Sequence, residues 1–128
     1  MVKYLTQEWL DRVRELFADQ PERPGATVRM NWTVATGPSE GVGYYWILQN
    51  GRMLETNLGA LDDAEVTLAM SYDDAVAITK LELDLNAAFM QGRVKATGNM
   101  AKLMSLLPLT NAPEYKVLTE QIRDNTEF

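Results

Sequence analysis

The side chains that most often perform catalysis are scarce in this chain. Its 128 residues include no histidine and no cysteine, and the only serines are Ser39, Ser71 and Ser105. Without histidine the commonest general base is missing and a Ser-His-Asp triad cannot form, and without cysteine the commonest activated nucleophile is missing. Acid–base work would depend on Tyr44, Tyr45 or a buried carboxylate. We therefore predict no catalytic residue, no metal site and no cofactor.

Two further patterns resemble ligand sites only in part. Acidic residues cluster at 62–65, 73–74 and 82–84, but no segment has the alternating ligands, central glycine and closing glutamate of a calcium loop. Three glycines within 37–43 lie between two predicted strands, without the Lys-Ser/Thr ending of a phosphate loop. We interpret the acidic clusters as solvated loops and helix starts, and 37–41 as a turn.

The net charge of −6 narrows the class of partner. Nucleic-acid binding requires a basic face, and docking on anionic membranes also requires positive charge, so we expect no nucleic acid and at most transient membrane contact. Charges at Lys3, Glu8 and Asp11 interrupt any signal-peptide core, no apolar run is long enough for a membrane span, and small secreted domains usually need disulfides. These features predict one cytoplasmic domain over 1–128 and leave a homodimer open.

The elements that would position a site begin with a helix and four strands. Thr6 is a typical N-cap, and an apolar stripe from Trp9 to Phe17 recurs at helical spacing. Apolar residues then alternate with polar ones from Ala26 to Thr36, and further strands are predicted at 44–49, 52–58 and 64–70. Asn50-Gly51 between two of them predicts a type I′ hairpin turn.

The second half is mainly helical. It predicts short helices over 73–80 and 84–91, a strand over 93–97, a helix beginning after Asn99, and an amphipathic helix over 111–123. Because strands and helices are segregated along the chain, the pattern favours an α+β domain. The predicted fold is a five-stranded, mainly antiparallel sheet covered by helices on one face.

The segment from Leu85 to Met100, LNAAFMQGRVKATGNM, carries a specific signal. It resembles the signature of the sterol carrier protein type 2 (non-specific lipid-transfer) family: an Ala-Phe start, a short basic strand between glycines, then Gly-Asn-Met opening a helix of Leu and Met. The likeness covers about residues 63–109. It implies an apolar tunnel between sheet and helices that binds sterols, fatty acids, fatty acyl-CoAs or phospholipids, with no reaction by the isolated domain.

The resemblance also implies which side chains lie near the tunnel. From the motif and the helix after it, these are Phe89, Met90, Val94, Ala96, Met100, Leu103, Met104 and Leu107. Strand alternation adds Trp32, Trp46 and Met70 to the expected ligand-binding set. The last helix would cover one tunnel end through Val117, Leu118 and Ile122.

Three functions are compatible with these features. The first is carriage of an apolar, lipid-like ligand such as a fatty acid or fatty acyl-CoA, and the acidic first helix favours an acyl chain over a sterol. The second is an accessory or substrate-presenting subunit of an enzyme system that handles apolar metabolites. The third is a dimerisation module whose cavity has filled in. A long apolar tunnel would favour the first, and a small pocket with a buried Glu or Arg would favour the second.

Overall fold

The computed structural model describes residues 1–18, 20–35 and 41–128, with the exception of the Asn111 side chain. The predicted turn at 37–41 therefore lies outside the described residues, apart from Gly41. The helices are α1 (Gln7–Phe17), α2 (Tyr72–Thr79), α3 (Leu85–Met90), α4 (Met100–Leu106) and α5 (Pro113–Asp124), with a 3₁₀ helix at Leu107–Asn111. The strands are β1 (Val2–Lys3), β2 (Val28–Ala35), β3 (Val42–Gln49), β4 (Arg52–Leu58), β5 (Val66–Ser71), β6 (Lys95–Gly98) and β7 (Thr126–Glu127).

Side-chain caps fix where four helices begin. The Thr6 hydroxyl accepts from the Trp9 amide at 3.2 Å, and Ser71 accepts from Asp74 at the start of α2. Asn99 accepts from the amide of Lys102 and starts α4. The cap of α3 is Asp84, which the sequence pattern did not identify. Each cap satisfies an amide that the first helical turn leaves without a partner.

β2 to β6 form one five-stranded sheet in the order β4-β3-β2-β5-β6. Three of its four pairings are antiparallel, while β2 and β5 are parallel, from Met30 opposite Val66 to Ala35 opposite Ser71. This confirms a mainly antiparallel sheet; the parallel pairing of β2 with β5 was not predicted. The β4–β5 link crosses the sheet, and Asn31 holds it by bonding both the amide and the carbonyl of Leu61.

The β3–β4 connection has the predicted turn geometry. Asn50 and Gly51 both have positive φ, 51° and 84°, as a type I′ turn requires. The turn is held in place by the loop after α1, since the Arg23 amide donates to the Asn50 carbonyl at 2.7 Å. The hairpin end and the loop after α1 therefore form one side of the molecule.

One face of the sheet carries the core. Val28, Met30, Trp32 and Val34 of β2 are buried, whereas the alternate residues are exposed or half-buried. α1 contributes the predicted stripe, with Trp9, Leu10, Val13 and Phe17 buried. Within the described part of the chain, no helix is both long and apolar enough to cross a bilayer.

The two ends of the chain are joined by a strand pairing that the sequence pattern does not predict. β1 and β7 form a separate two-stranded parallel sheet, with Val2 opposite Thr126. The buried indole of Trp9 donates to the Thr126 hydroxyl at 2.9 Å. The end of α5 is thus fixed against α1 and the core.

Candidate functional site

A cavity of about 300 Å³ lies between the sheet and the helices α2 and α5. Its volume is at the lower limit of the roughly 300–1,000 Å³ usual for small-molecule sites. Its deep wall is aromatic and apolar. The lining residues are Tyr4, Trp9, Val13, Trp32, Tyr44, Trp46, Met70, Ala75, Ile78, Thr79, Leu81, Leu83, Asp84, Leu85, Thr110, Tyr115, Lys116, Thr119, Glu120 and Ile122.

The charged lining residues of this larger cavity are all at its mouth. Asp84, Lys116 and Glu120 are exposed, as is Leu81 in the link between α2 and α3. The mouth therefore lies between that link and α5. An apolar chain could enter there while the three charged side chains stay in water.

A second, smaller cavity of about 70 Å³ lies nearer the β3–β4 turn. Its walls come from the first halves of β2 and β5, from α4 and from the 3₁₀ helix. The lining residues are Phe17, Arg23, Ala26, Val28, Met30, Trp32, Trp46, Leu48, Gly51, Leu68, Leu85, Leu103, Leu106, Leu107, Leu109, Thr110 and Tyr115. Arg23 is the one charged residue among them.

Strand register places the two cavities end to end. Along the inward row of β3, Tyr44 lines the larger cavity, Trp46 lines both, and Leu48 lines the smaller one. On β5, Leu68 lines the smaller cavity and Met70 the larger one. Residues two apart on a strand are separated by about 6.6 Å. The cavities therefore follow one line under the sheet, and they share five wall residues: Trp32, Trp46, Leu85, Thr110 and Tyr115.

Aromatic rings dominate this shared wall. Trp32 and Trp46 have ring centroids 5.0 Å apart, and Trp32 stacks on Tyr44 at 5.9 Å. Phe17 meets Trp46 edge-on at 5.5 Å. Such pairs add about 0.5–1.5 kcal/mol beyond their burial. They hold the two indoles in fixed positions between the cavities.

Arg23 reaches the smaller cavity with its side chain only 14% exposed. Its Nη1 donates to the Gln20 side chain at 3.1 Å. Its Nη2 lies 3.6 Å from the Glu114 carboxylate, which is itself 59% exposed. The guanidinium is thus partly neutralised by one solvated carboxylate.

The tyrosines of the wall are neutral at physiological pH. Burial raises the pKa of Tyr44 well above its ordinary value. Burial raises the pKa of Tyr115 to about 12, although the charge of Arg23 acts to lower it. Burial also raises the pKa of Tyr4 to about 12, although its hydrogen bond with Thr79 acts to lower it. A phenol that stays protonated is a poor base. The raised pKa therefore disfavours Tyr44 as a general base.

These raised values predict loss of stability in alkali. A tyrosine whose folded pKa exceeds its unfolded value of about 10 stabilises the protein fully below pH 10, and that contribution falls as pH rises towards 12. Tyrosine ionisation should leave the urea-unfolding midpoint unchanged between pH 8 and 9.5. At higher pH it should lower the midpoint. The fall should be shallower in Tyr115→Phe. Equal slopes for the two proteins above pH 10 would contradict this assignment.

The structure brings six of the predicted ligand-binding residues to the cavities. Trp32 and Trp46 line both cavities, Met70 and Ile122 line the larger one, and Leu103 and Leu107 line the smaller one. The other eight line neither. Val94, Leu118, Ala96 and Phe89 are buried or half-buried elsewhere, and those on the surface are Met90 (81% exposed), Met100, Met104 and Val117.

Sequence patterns did not identify several wall residues. Trp9 and Val13 belong to the apolar stripe of α1, and Tyr44 belongs to the inward row of β3. Strand alternation from Trp46 would have found Tyr44. Arg23 and Tyr115 carry no periodic signal, because one is in a loop and the other is in the first turn of α5. No group of three or more carboxylates able to hold a metal ion is present in 1–18, 20–35 and 41–128.

Comparison with known proteins decides the family. Residues 16–111 match the sequence profile of the SCP-2 sterol transfer family. The chain belongs to the SCP-2 sterol transfer family. This confirms the resemblance seen in the segment from Leu85 to Met100, and it extends the match into α1 and the first hairpin. As a family member the protein is of the lipid-binding, carrier type. Among curated proteins, no sequence gives a significant match.

Solved structures share the SCP-2 fold across nearly the whole chain. A conserved hypothetical protein from Thermus thermophilus, described as possibly a sterol carrier protein, superposes with a TM-score of 0.74 at 17% identity, covering 95% of this chain and 91% of the other. Palmitated sterol carrier protein 2-like 2 from Aedes aegypti gives 0.65 at 18% identity, covering 83% and 94%. At these identities the likeness establishes the fold.

A third SCP-2-like fold occurs inside a larger enzyme. The inverting sec-alkylsulfatase Pisa1 from Pseudomonas sp. matches with a TM-score of 0.50 and 25% identity. The match covers 67% of this chain and 13% of the sulfatase. The same fold is therefore present both in small carrier-like proteins and as a segment of an enzyme.

Proposed function

We propose that this SCP-2 family member binds and carries a single apolar chain, such as a fatty acid or a fatty acyl-CoA, without chemical change. The observation that supports this most is the apolar cavity of about 300 Å³, whose charged lining residues are confined to the mouth. The smaller cavity continues its line beneath the sheet and provides the room for a long chain. Together the two cavities form the proposed tunnel.

The energetics suit reversible binding. Burying sixteen carbons gains on the order of 12 kcal/mol at about 0.8 kcal/mol per methylene. Association and ordering cost roughly 4–15 kcal/mol, which leaves micromolar or moderately tighter affinity. A dry, enclosed cavity of this volume would cost about 7 kcal/mol by the measured cavity slope, a sizeable part of a domain's stability. An occupying chain would recover that cost.

Displacement of a fluorescent fatty acid tests the proposal. We expect saturable, one-to-one binding and competition by hexadecanoic acid in the micromolar range. Each methylene removed from the competitor should weaken its affinity by at most about fourfold. Native mass spectrometry of the gently purified protein should reveal a bound lipid. A protein that binds neither the probe nor any co-purified apolar molecule would exclude carriage.

Arg23 and the sulfatase likeness favour a second candidate function. A small pocket with a largely buried arginine suits an acidic apolar metabolite that is presented to an enzyme, and the same fold occurs as 13% of a sulfatase chain. In that case the protein would form a stable complex with an enzyme in its native host. Turnover of that enzyme's apolar substrate would then fall when this chain is removed. Cytoplasmic location and a homodimer stay predictions.

A further inference from the structure

The wall between the two cavities is built from two different halves. The side chains that line both cavities are Trp32, Trp46, Leu85, Thr110 and Tyr115. The two indoles belong to the neighbouring strands β2 and β3, whereas the other three side chains belong to α3, the 3₁₀ helix and α5. A chain that occupies both cavities must therefore pass between a sheet half and a helical half.

The sheet half of the wall is closely packed. Trp32 and Trp46 are each only 8% exposed, and their ring centroids lie 5.0 Å apart. Trp32 also stacks on Tyr44, and Trp46 meets Phe17 edge-on. Because interiors are packed as densely as organic crystals, neither indole can turn without displacing these neighbouring rings. The sheet half is therefore the fixed half.

Leu85 is the least constrained side chain of the helical half. The Thr110 hydroxyl donates to a carbonyl of its own turn at 2.7 Å and accepts from the Asn86 side chain at 3.0 Å. The Tyr115 ring meets Phe17 edge-on at 6.5 Å. Leu85 is half-buried at the first position of a six-residue helix, and its aliphatic side chain makes no hydrogen bond. It can therefore change between staggered rotamers more easily than its partners in the wall.

The volumes of the cavities predict where a bound chain meets the wall. A methylene group takes about the same space as a water molecule in the liquid, roughly 30 Å³. The larger cavity of about 300 Å³ then holds roughly ten carbons, and the smaller one of about 70 Å³ holds roughly two more. A ten-carbon chain therefore fits on one side of the wall, whereas a sixteen-carbon chain must pass it.

We propose that Leu85 is a chain-length gate between the two cavities. With Leu85 in the wall, the larger cavity accepts chains of about ten carbons. A longer chain binds only when Leu85 turns aside and opens the way to the smaller cavity. This rests on the proposed function, because it divides the carried chains into two length classes. Methylenes added within the larger cavity raise the affinity by up to about fourfold each, whereas those that displace Leu85 add little.

A series of saturated fatty acids with 8, 10, 12, 14 and 16 carbons tests the gate. In the wild type the affinity should rise steeply to ten carbons, and then by less than about 1.5-fold per methylene from ten to twelve. In Leu85→Ala, which removes the obstructing side chain, the steep rise should continue. The ratio of the 16-carbon affinity to the 10-carbon affinity should therefore increase about 5- to 20-fold over the wild type.

Leu83→Ala is the matched control for that series. It removes the same atoms from a half-buried leucine two residues away, which lines the larger cavity but not the smaller one. It should change the affinity for every chain length by a similar factor. The ratio of the 16-carbon to the 10-carbon affinity should stay within about twofold of the wild type.

Two methionine methyl groups report on the cavities separately and require no gate variant. Met70 lines only the larger cavity, and Met30 lines only the smaller one. Decanoate should shift the methyl NMR signal of Met70 and leave that of Met30 in place. Hexadecanoate should shift both signals, because its chain reaches both cavities.

The outcomes separate the gate from carriage. If affinity rises evenly from 8 to 16 carbons in the wild type and in Leu85→Ala, and decanoate shifts both methyl signals, the gate is excluded while carriage stands. If no fatty acid of any length binds the wild type, carriage itself fails, and the gate fails with it. A break near ten carbons that is lost in Leu85→Ala and kept in Leu83→Ala supports the gate.

Discussion

Replacement of Gly98 by alanine is expected to destabilise the protein by about 3 kcal/mol or more. Gly98 has a φ of 105°, which side chains rarely adopt, and a Cβ placed there would overlap the backbone carbonyl oxygen of Glu65. Neither backbone can move freely, because Gly98 is paired with Val66 and the next amide donates to the Glu65 carbonyl at 2.7 Å. The penalty combines conformational strain with a backbone clash.

Gly92 provides the matched control. It stands at the other end of the same segment, also with positive φ (77°), but a Cβ there would meet nothing within 4 Å. Gly92→Ala should therefore cost only the conformational term, about 1–2 kcal/mol. Urea unfolding of both variants measures the difference. Equal losses would show that the close approach to Glu65 does not constrain Gly98.

Replacement of Ala75 by phenylalanine is expected to weaken long-chain binding by more than about tenfold while the fold is kept. Ala75 is 3% exposed on α2 and lines the larger cavity. The added ring can enter the cavity of about 300 Å³. It therefore fills empty space and does not displace core side chains. Each methylene excluded from the cavity loses about 0.8 kcal/mol, so displacing two weakens binding more than about tenfold. Thermal stability should be unchanged or higher.

Ala77→Phe is the control for that experiment. It introduces the same ring two residues along α2, at a half-buried position that lines neither cavity. Hexadecanoate affinity should stay within about twofold of the wild type. If Ala75→Phe is folded and still binds hexadecanoate at wild-type affinity, the larger cavity is not where the chain lies.

Local features of the fold were readable from the sequence because each has a local physical cause. Thr6, Ser71 and Asn99 cap helices through their own side chains, and Asn50-Gly51 accepts positive φ at both positions. The parallel pairing of β2 with β5 was not readable. It depends on a link that crosses the sheet and on the bonds of Asn31 to Leu61, and strand alternation does not specify which strands become neighbours.

For the same reason, only part of the candidate site could be predicted from the sequence. Helical spacing grouped Met100 and Met104 with Leu103 and Leu107, but α4 is seven residues long and only the leucines are buried; Met104 is 50% exposed. A short helix contacts its sheet through a narrow stripe, so helical period alone does not select the inward members. Arg23 could be found only in three dimensions, since its loop meets the β3–β4 turn through a long-range contact.

A crystal structure of the protein grown with hexadecanoic acid tests the central claim most directly. We expect a single extended chain under the sheet, filling the larger cavity beside Ala75 and Met70 and continuing past Trp46 into the smaller cavity. A lipid bound only on the outer surface, for instance around Met90 and Met104, with both cavities unfilled, would contradict carriage in the proposed tunnel.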